Sequence, residues 1–238
     1  MQISQIYLSD SDAPLPPHLS QCVALAKTLA PDLAHVLYDK DSLRGFIAAT
    51  FDAEVVAAYD KLNPYAYRCD LGRYCLLYAI GGWYLDVSVR VVTAPLAITA
   101  DVETIAFRDI QINSGTCWAC LNSVLYARPR QPVFQTAIQM VVENCRKQYY
   151  GITPLCPTGP TLLGRAFAIH GASRATVFGD FQILTPYRSK MNPAFVLPDG
   201  TLLAFGKMGK GGDLSELGAK GTNNYNDFYF AGNVYKTS

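Results

Sequence analysis

The sequence is short of charge, of paired cysteines and of long apolar runs, and each shortage removes a class of protein. Only 16% of the 238 residues are charged, and 20 basic residues stand against 19 acidic ones. No basic stripe interleaved with aromatics occurs, so nothing electrostatic favours nucleic acid as a partner. The opening residues, Met1 to Leu8, lack a basic stretch followed by an apolar core, which argues against a signal peptide. No run of ~18 apolar residues is unbroken, so no transmembrane segment is expected. The longest runs, residues 75–84 and 116–127, are interrupted at Gly81-Gly82 and Asn122-Ser123. Seven cysteines are an odd number without a paired framework, which suits a reducing, cytoplasmic compartment. His18, His35 and His170 are too scattered for a metal site or a triad. Neither a Gly-x-Ser-x-Gly elbow nor a Gly-x-Gly-x-x-Gly fingerprint is present.

What the chain does have is apolar bulk and tyrosine. Half its residues are hydrophobic and 15 are tyrosines, a composition that suits a cleft that stacks on rings and hydrogen-bonds hydroxylated ligands. At ~100–200 residues per domain the chain makes one unit. It is long enough to bury roughly 70–75% of its unfolded surface without a disulfide or structural metal.

Periodicity organises that unit. Strands are expected at residues 3–8 and 35–38, with helices around 22–29, 42–50 and 53–62, the last stopped by Asn63-Pro64. Alternation of this kind opens an α/β domain with a mainly parallel, Rossmann-like sheet flanked by helices. A helix over 66–80 places Tyr67, Leu71, Tyr74, Cys75 and Tyr78 on one apolar face and ends at Gly81-Gly82. A buried strand follows at 83–86, then strands at 105–112 and 118–126, and helices from Pro132 and from Gly159-Pro160. Past residue 171 the texture changes to short strands at 175–184, 194–197 and 201–205, the last two joined by Pro198-Asp199-Gly200, a hairpin signal. A core of residues 1–170 with a smaller, mixed C-terminal lobe of 171–238 is therefore expected within a single domain. The Cys117-Trp118-Ala119-Cys120 run has redox spacing, but its strand-like setting favours buried structural cysteines.

The most informative run is residues 68–88. Asp70 and Arg73 stand three apart on the apolar helix, where they share a face and can pair. Alone that is an ordinary surface spacing. Here the Gly81-Gly82 turn leads straight into a buried strand ending at Asp86, and open α/β sheets bind ligands beyond such strand ends.

This run resembles the sugar-binding region of glycosyltransferase family 32 and, more distantly, the glucosyltransferase domains of large clostridial toxins. The shared pattern is Asp-x-x-Arg on a helix, Gly-Gly-x-Tyr-x-Asp, and a further acid, matched at Asp70, Arg73, Gly81, Gly82, Tyr84 and Asp86. The resemblance implies an A-type glycosyltransferase fold in which Asp70 and Arg73 hold the donor sugar and ribose-phosphate. Tyr84 would lie under the nucleotide, and Asp86 would reach the diphosphate through Mn²⁺ or Mg²⁺. A looser likeness in the same order makes Tyr7 the base-stacking aromatic, Asn122 a donor-site residue on the strand after the metal motif, and Thr158-Gly159-Pro160 the opening of a helix. Tyr38-Asp39 matches a strand-ending motif in part.

The sequence departs from the pattern at Ser88, where the second acid of the metal motif would stand. A hard divalent ion prefers carboxylate oxygen, and a hydroxyl supplies no charge. Another acid can complete the site, cationic side chains can replace the ion, or the site is degenerate. The C-terminus offers candidates for either repair. Lys207 and Lys210 sit in the glycine-rich segment 206–212, and Asn226 and Asp227, with Asn224, offer oxygens. The expected function is retaining transfer of a sugar from a nucleotide-sugar donor to a glycan or lipid-linked saccharide acceptor in polysaccharide biosynthesis. Such an enzyme would act in the cytoplasm, with peripheral association at the inner face of the membrane left open. The alternative is a non-catalytic sugar-nucleotide binder that lost turnover along with the second acid.

Overall fold

The structure, a computed structural model, describes residues 1–94, 101–170, 173–184, 193–207 and 214–237. The chain opens with β1 (Gln2–Ile6), α1 (Pro17–Leu29), β2 (Ala34–Tyr38), α2 (Lys40–Thr50), α3 (Ala53–Lys61), α4 (Tyr65–Ala79) and β3 (Gly82–Leu85). It continues with β4 (Arg90–Val91), β5 (Thr104–Arg108), α5 (Gln111–Ser114), β6 (Cys120–Ala127), α6 (Pro132–Lys147) and α7 (Pro160–His170). The C-terminal part holds β7 (Thr176–Ile183), β8 (Pro193–Val196), β9 (Leu202–Phe205), a 3₁₀ turn (Ser215–Leu217) and α8 (Tyr225–Phe230).

All these strands form one sheet in the order β2-β1-β3-β6-β5-β7-β8-β9-β4. The expectation of a mainly parallel sheet needs correction. β1–β2, β1–β3 and β5–β7 are parallel, whereas β3–β6, β5–β6, β7–β8, β8–β9 and β4–β9 are antiparallel. The reason is connection length, since parallel neighbours need a crossover of about a dozen residues or more, usually a helix. Such helices link β1, β2 and β3, but β5 reaches β6 through a short loop and α5. Nor do the C-terminal strands make a sheet of their own, because β7 pairs with β5 from Thr104↔Thr176 to Arg108↔Asp180 and carries β8 and β9 onto the same sheet.

Alternation along the strands builds two apolar layers. Ile6, Tyr84, Leu125 and Ala127 face α2, α3, α4, α6 and α7, while Ile3, Trp83, Val124 and Tyr126 face the opposite way. On that second side they meet Ala26 of α1 together with Val91, Phe195 and Leu203, so the sheet curls and its β8-β9-β4 end covers its own face.

Two further expectations change in detail. The strand foreseen over 105–112 ends at Arg108, because the Asp109 carboxylate accepts the Ile110 N–H at 2.8 Å and turns the chain into α5. The single apolar face expected for α4 is instead burial on nearly every side, with ten of its residues buried, Asp70 and Arg73 among them. Neighbours on all sides cause this: β1, β3, β6, α2, α3, α6 and α8 all touch it. Its exit depends on glycine. Gly81 and Gly82 have φ of +71° and +88°, and a Cβ on Gly82 would stand 2.3 Å from the carbonyl oxygen of Gln2. No helix among the described residues is long and apolar enough to cross a membrane.

Candidate functional site

At the C-terminal end of β3 the chain turns at once: the Asp86 N–H reaches Ser123 O at 2.8 Å and Val89 N–H returns to Asp86 O at 2.9 Å. This places Asp86 just beyond the central strands, where α4 passes. Arg73 projects from α4 between two carboxylates, 3.3 Å from Asp70 Oδ1 and 3.2 Å from Asp86 Oδ1. It also donates to Asn122 O at 2.7 Å and to Cys69 O at 3.1 Å, and lies 4.6 Å above the Tyr84 ring.

Asp70 is held as tightly. Besides Arg73, its Oδ1 accepts Asn122 Nδ2 at 2.9 Å and its Oδ2 accepts Thr158 Oγ1 at 2.7 Å. Tyr74, one helical turn after Asp70, receives Asn122 Nδ2 at 3.0 Å and donates to Thr158 O at 2.8 Å. The result is a closed network joining α4, β6 and the start of α7. Buried groups in such a network are costly unless satisfied, and these are satisfied.

Burial pushes the Asp70 carboxyl up to about 6, against the pull of Arg73 and of the Thr158 and Asn122 hydrogen bonds. Burial opposes the Arg73 charge too, but the charge of Asp86 above all, with Asp70 behind it, holds this guanidinium above its usual value. One cation shared by two carboxylates leaves a net negative charge, and the more deeply buried acid bears the cost. The Tyr84 hydroxyl is raised by burial and donates to Asp86 Oδ1 at 2.7 Å.

A cavity of about 1160 Å³ opens on this array, lined by Asp70, Arg73, Asp86, Ser88 and Asn122. Its lining also includes Lys207, Glu216, Asn226, Asp227, Tyr225 and Phe230. A smaller cavity of about 80 Å³ shares Arg73, Asp86, Ser88 and Lys207 and reaches Ile6, Leu8, Tyr65 and Asn223. The fold thus brings Asp70, Arg73, Asp86, Ser88, Asn122, Lys207, Asn226 and Asp227 to one space from both ends of the chain. Lys210 lies outside the described residues.

Two candidates are placed elsewhere. Tyr7 lines neither cavity and packs against the cluster of Leu19, Val23, Val87 and Ala219. Tyr84 is fully buried beneath Arg73 and meets neither cavity directly. Asp39, in the partial strand-ending match, caps α2 by accepting the Ser42 N–H at 2.8 Å. Cys120 is buried as expected, but Cys117 is exposed because β6 begins only at Cys120.

The donor set suits a hard divalent ion. Ser88, Asn226 and Asp227 offer oxygens on the same cavity as Asp86, whose Oδ1 is engaged by Tyr84 and Arg73 while Oδ2 makes no hydrogen bond to a described residue. No three His, Cys, Asp or Glu side chains among the described residues gather closely enough to hold a metal by themselves. An ion here would rest on the carboxylates of Asp86 and Asp227 with the neutral oxygens of Ser88 and Asn226, water and ligand.

Residues 16–104 match the family described as "Glycosyltransferase sugar-binding region containing DXD motif". The matched segment includes α4, β3, Asp86 and Ser88. A curated relative, "Uncharacterized glycosyltransferase L373" of Acanthamoeba polyphaga mimivirus, is 30% identical over 100 residues, 41% of this chain. The chain spans only 38% of that relative's length. Among solved structures, "PaToxG Glycosyltransferase" superposes with a TM-score of 0.57 at 15% identity, covering 71% of this chain and 69% of that one. The fold around the matched segment is that of an A-type glycosyltransferase.

Four residues of the site had no role in the sequence reading. Tyr74 could have been found from its i+4 spacing to Asp70, and Thr158 from its Thr-Gly-Pro motif. Asn223 and Tyr225 carry no local signal at all, since their partners Tyr65 and Tyr67 lie some 158 residues away.

Proposed function

We propose that this protein is a nucleotide-sugar-dependent glycosyltransferase that transfers with retention to a glycan or lipid-linked saccharide acceptor in polysaccharide biosynthesis. The observation that carries the reading is Arg73 buried between Asp70 and Asp86 on the wall of the large cavity. An ion pair out of water is costly to build unless fully hydrogen-bonded, and this one is aimed at a space. Cytoplasmic action, which we also propose, agrees with seven cysteines that are all free.

In this reading Arg73 stays cationic throughout and faces the donor's phosphates, with Lys207 lining the same cavities. Three of Asp70's interactions are internal, so it offers its remaining lone pair to a sugar hydroxyl while fixing Arg73 and Asn122. A Mn²⁺ or Mg²⁺ ion held by Asp86, Ser88, Asn226 and Asp227 would supply positive charge for the diphosphate. The bond from the anomeric carbon to the diphosphate oxygen breaks, its electron pair leaving with the diphosphate. The acceptor oxygen bonds to the same face of that carbon, and its proton passes to the departing diphosphate. No protein nucleophile is needed. The protein's part is orientation and charge.

The test is donor turnover with UDP-, GDP- and CMP-sugars, first found by thermal shift, in wild type and Asp70→Asn. Folded Asp70→Asn protein should release no nucleotide; wild-type rates from it would refute the assignment. A wild type that binds donor yet never releases nucleotide would support the binder alternative, which Ser88 motivates.

A further inference from the structure

The two cavities meet at Arg73, Asp86, Ser88 and Lys207, which line both, and beyond that junction they differ in charge. Among the described residues, the rest of the small cavity's lining carries no charged side chain. It consists of apolar residues such as Leu8, Val87 and Leu214, with Tyr65, Thr222 and Asn223. Asp70, Asn226 and Asp227 line the large cavity alone. A sugar held by Asp70 therefore lies on the large side, and a diphosphate facing Arg73 and the ion lies at the junction. The nucleoside is left for the small, uncharged end.

Three polar side chains stand there, and one of them can discriminate. The Tyr65 hydroxyl is engaged by Asp10. The Thr222 hydroxyl can donate or accept, so it fits any partner. Asn223 is different. Its Oδ1 accepts the Tyr65 N–H at 2.5 Å, at the first residue of α4. Turning the amide over would set two donors face to face and leave that N–H unpaired. The cap thus fixes the amide in one orientation, and Nδ2 hydrogen-bonds to no described residue. Asn223 lines the small cavity alone, away from the junction, where the base edge remote from the ribose would come. A group that can only donate pairs with a carbonyl oxygen on that edge, as in uracil or hypoxanthine. Against the exocyclic amino group of cytosine or adenine, two donors would meet.

Resting on the glycosyltransferase reading, we propose that Asn223 determines the donor's base, donating Nδ2 to a keto oxygen and rejecting an amino base. One side chain then caps the helix that carries Asp70 and Arg73 and also reads the nucleotide.

The experiment measures calorimetric affinities of UDP, CDP, IDP and ADP in Mn²⁺. Within the pairs UDP–CDP and IDP–ADP the members match in size and charge and differ at the keto or amino position. The wild type should bind the keto member about ten-fold or more tightly. Asn223→Asp keeps an oxygen for the Tyr65 N–H, so its Tm should stay close to that of the wild type, but a carboxylate cannot donate. Its added charge weakens all four nucleotides alike, so the readout is the ratio within a pair, which should vanish or reverse toward the amino base. Asn223→Ala should lose the preference together with the cap. An Asn223 that only caps α4 would leave the ratio unchanged in Asn223→Asp, and that result would overturn the proposal. Equal binding within both pairs, or tighter binding of the amino members, would overturn it as well while leaving the transferase reading intact. If no nucleoside diphosphate binds at all, the donor-site reading itself fails and takes the proposal with it.

Discussion

Asp70 illustrates how much one buried side chain can decide. Its three internal interactions keep Arg73 and Asn122 in place, yet burial leaves its carboxyl up at about 6. Donor turnover should therefore fall as pH drops through about 6, a limb that a pH–rate profile would show. Linkage gives a second consequence with a definite sign. A carboxyl raised above its unfolded value contributes stability that is fully present below about pH 4 and lost as pH rises through about 6. At 1.36 kcal/mol per pH unit the loss is about 3 kcal/mol. Urea unfolding at pH 4 and pH 7 should show this difference in wild type and not in Asp70→Asn. Identical pH dependence in both would mean that the group titrates normally. Ser88 decides a different quantity. It puts a neutral oxygen where the motif's second acid would stand, so the wild type should need more Mn²⁺ for half-maximal turnover than Ser88→Asp does. Full wild-type activity in excess chelator would remove the ion from the site and leave Asp86 as the partner of Arg73 and Tyr84.

At the scale of the element, α4 is the piece on which the site depends, and its start is capped from the other end of the chain. Pro64 at its N-cap provides no side-chain acceptor, and Asn223 Oδ1 takes the Tyr65 N–H at 2.5 Å instead. Removing a cap costs ~1 kcal/mol. Asn223→Ala should lower Tm by about 2–4 °C in a protein of this size, and Asn223→Asp, which keeps an acceptor, should restore most of it. An unchanged Tm in the alanine variant would show that solvent serves this N–H equally well. The α4 exit is set by Gly81-Gly82, whose positive φ and contact with Gln2 admit no side chain. Between these two fixed ends the helix cannot rotate, which is why Asp70 and Arg73 keep their aim.

Over the whole molecule, the C-terminal segment acts as a strap across α4 and the segment before it. Asn63 N–H bonds to Val234 O at 2.9 Å and Lys236 N–H to Lys61 O at 2.9 Å, with Val234 and Tyr235 buried. Asp10 N–H bonds to Gly221 O at 2.8 Å and the Ser9 hydroxyl to Lys220 O at 2.6 Å. Ending the chain after Gly218 would uncover the Tyr67 ring and the N-terminus of α4 and remove Asn226 and Asp227 from the cavity. Such a truncated protein should unfold at markedly lower urea concentration and bind no donor, whereas retained donor affinity would show that the strap is dispensable.

How much of this was legible follows from how local each feature is. Helices α1 to α4, the Gly81-Gly82 exit, the β8–β9 hairpin at Pro198-Asp199-Gly200 and the Asp70–Arg73 pairing rest on interactions within a few residues, which composition and periodicity record directly, and the family resemblance adds Asp86 to them. Strand direction was not local. β6 inserts between β3 and β5, antiparallel to both, because the loop before it is too short for a crossover, and no periodicity of 2 encodes a neighbour's direction. Tyr7 and Tyr84 had a plausible place on strands beside the site, but the side on which each ring lies depends on what packs against it: Arg73 above Tyr84, and Leu19 and Val87 against Tyr7. The acceptors and rings that complete the cavity, Asn223 and Tyr225, came from the far end of the chain. The sequence determined the motif and the elements that carry it, because those are set by short-range spacing. Only the tertiary structure decided what surrounds the motif, because burial, shared charge and long-range hydrogen bonds exist only once distant segments meet.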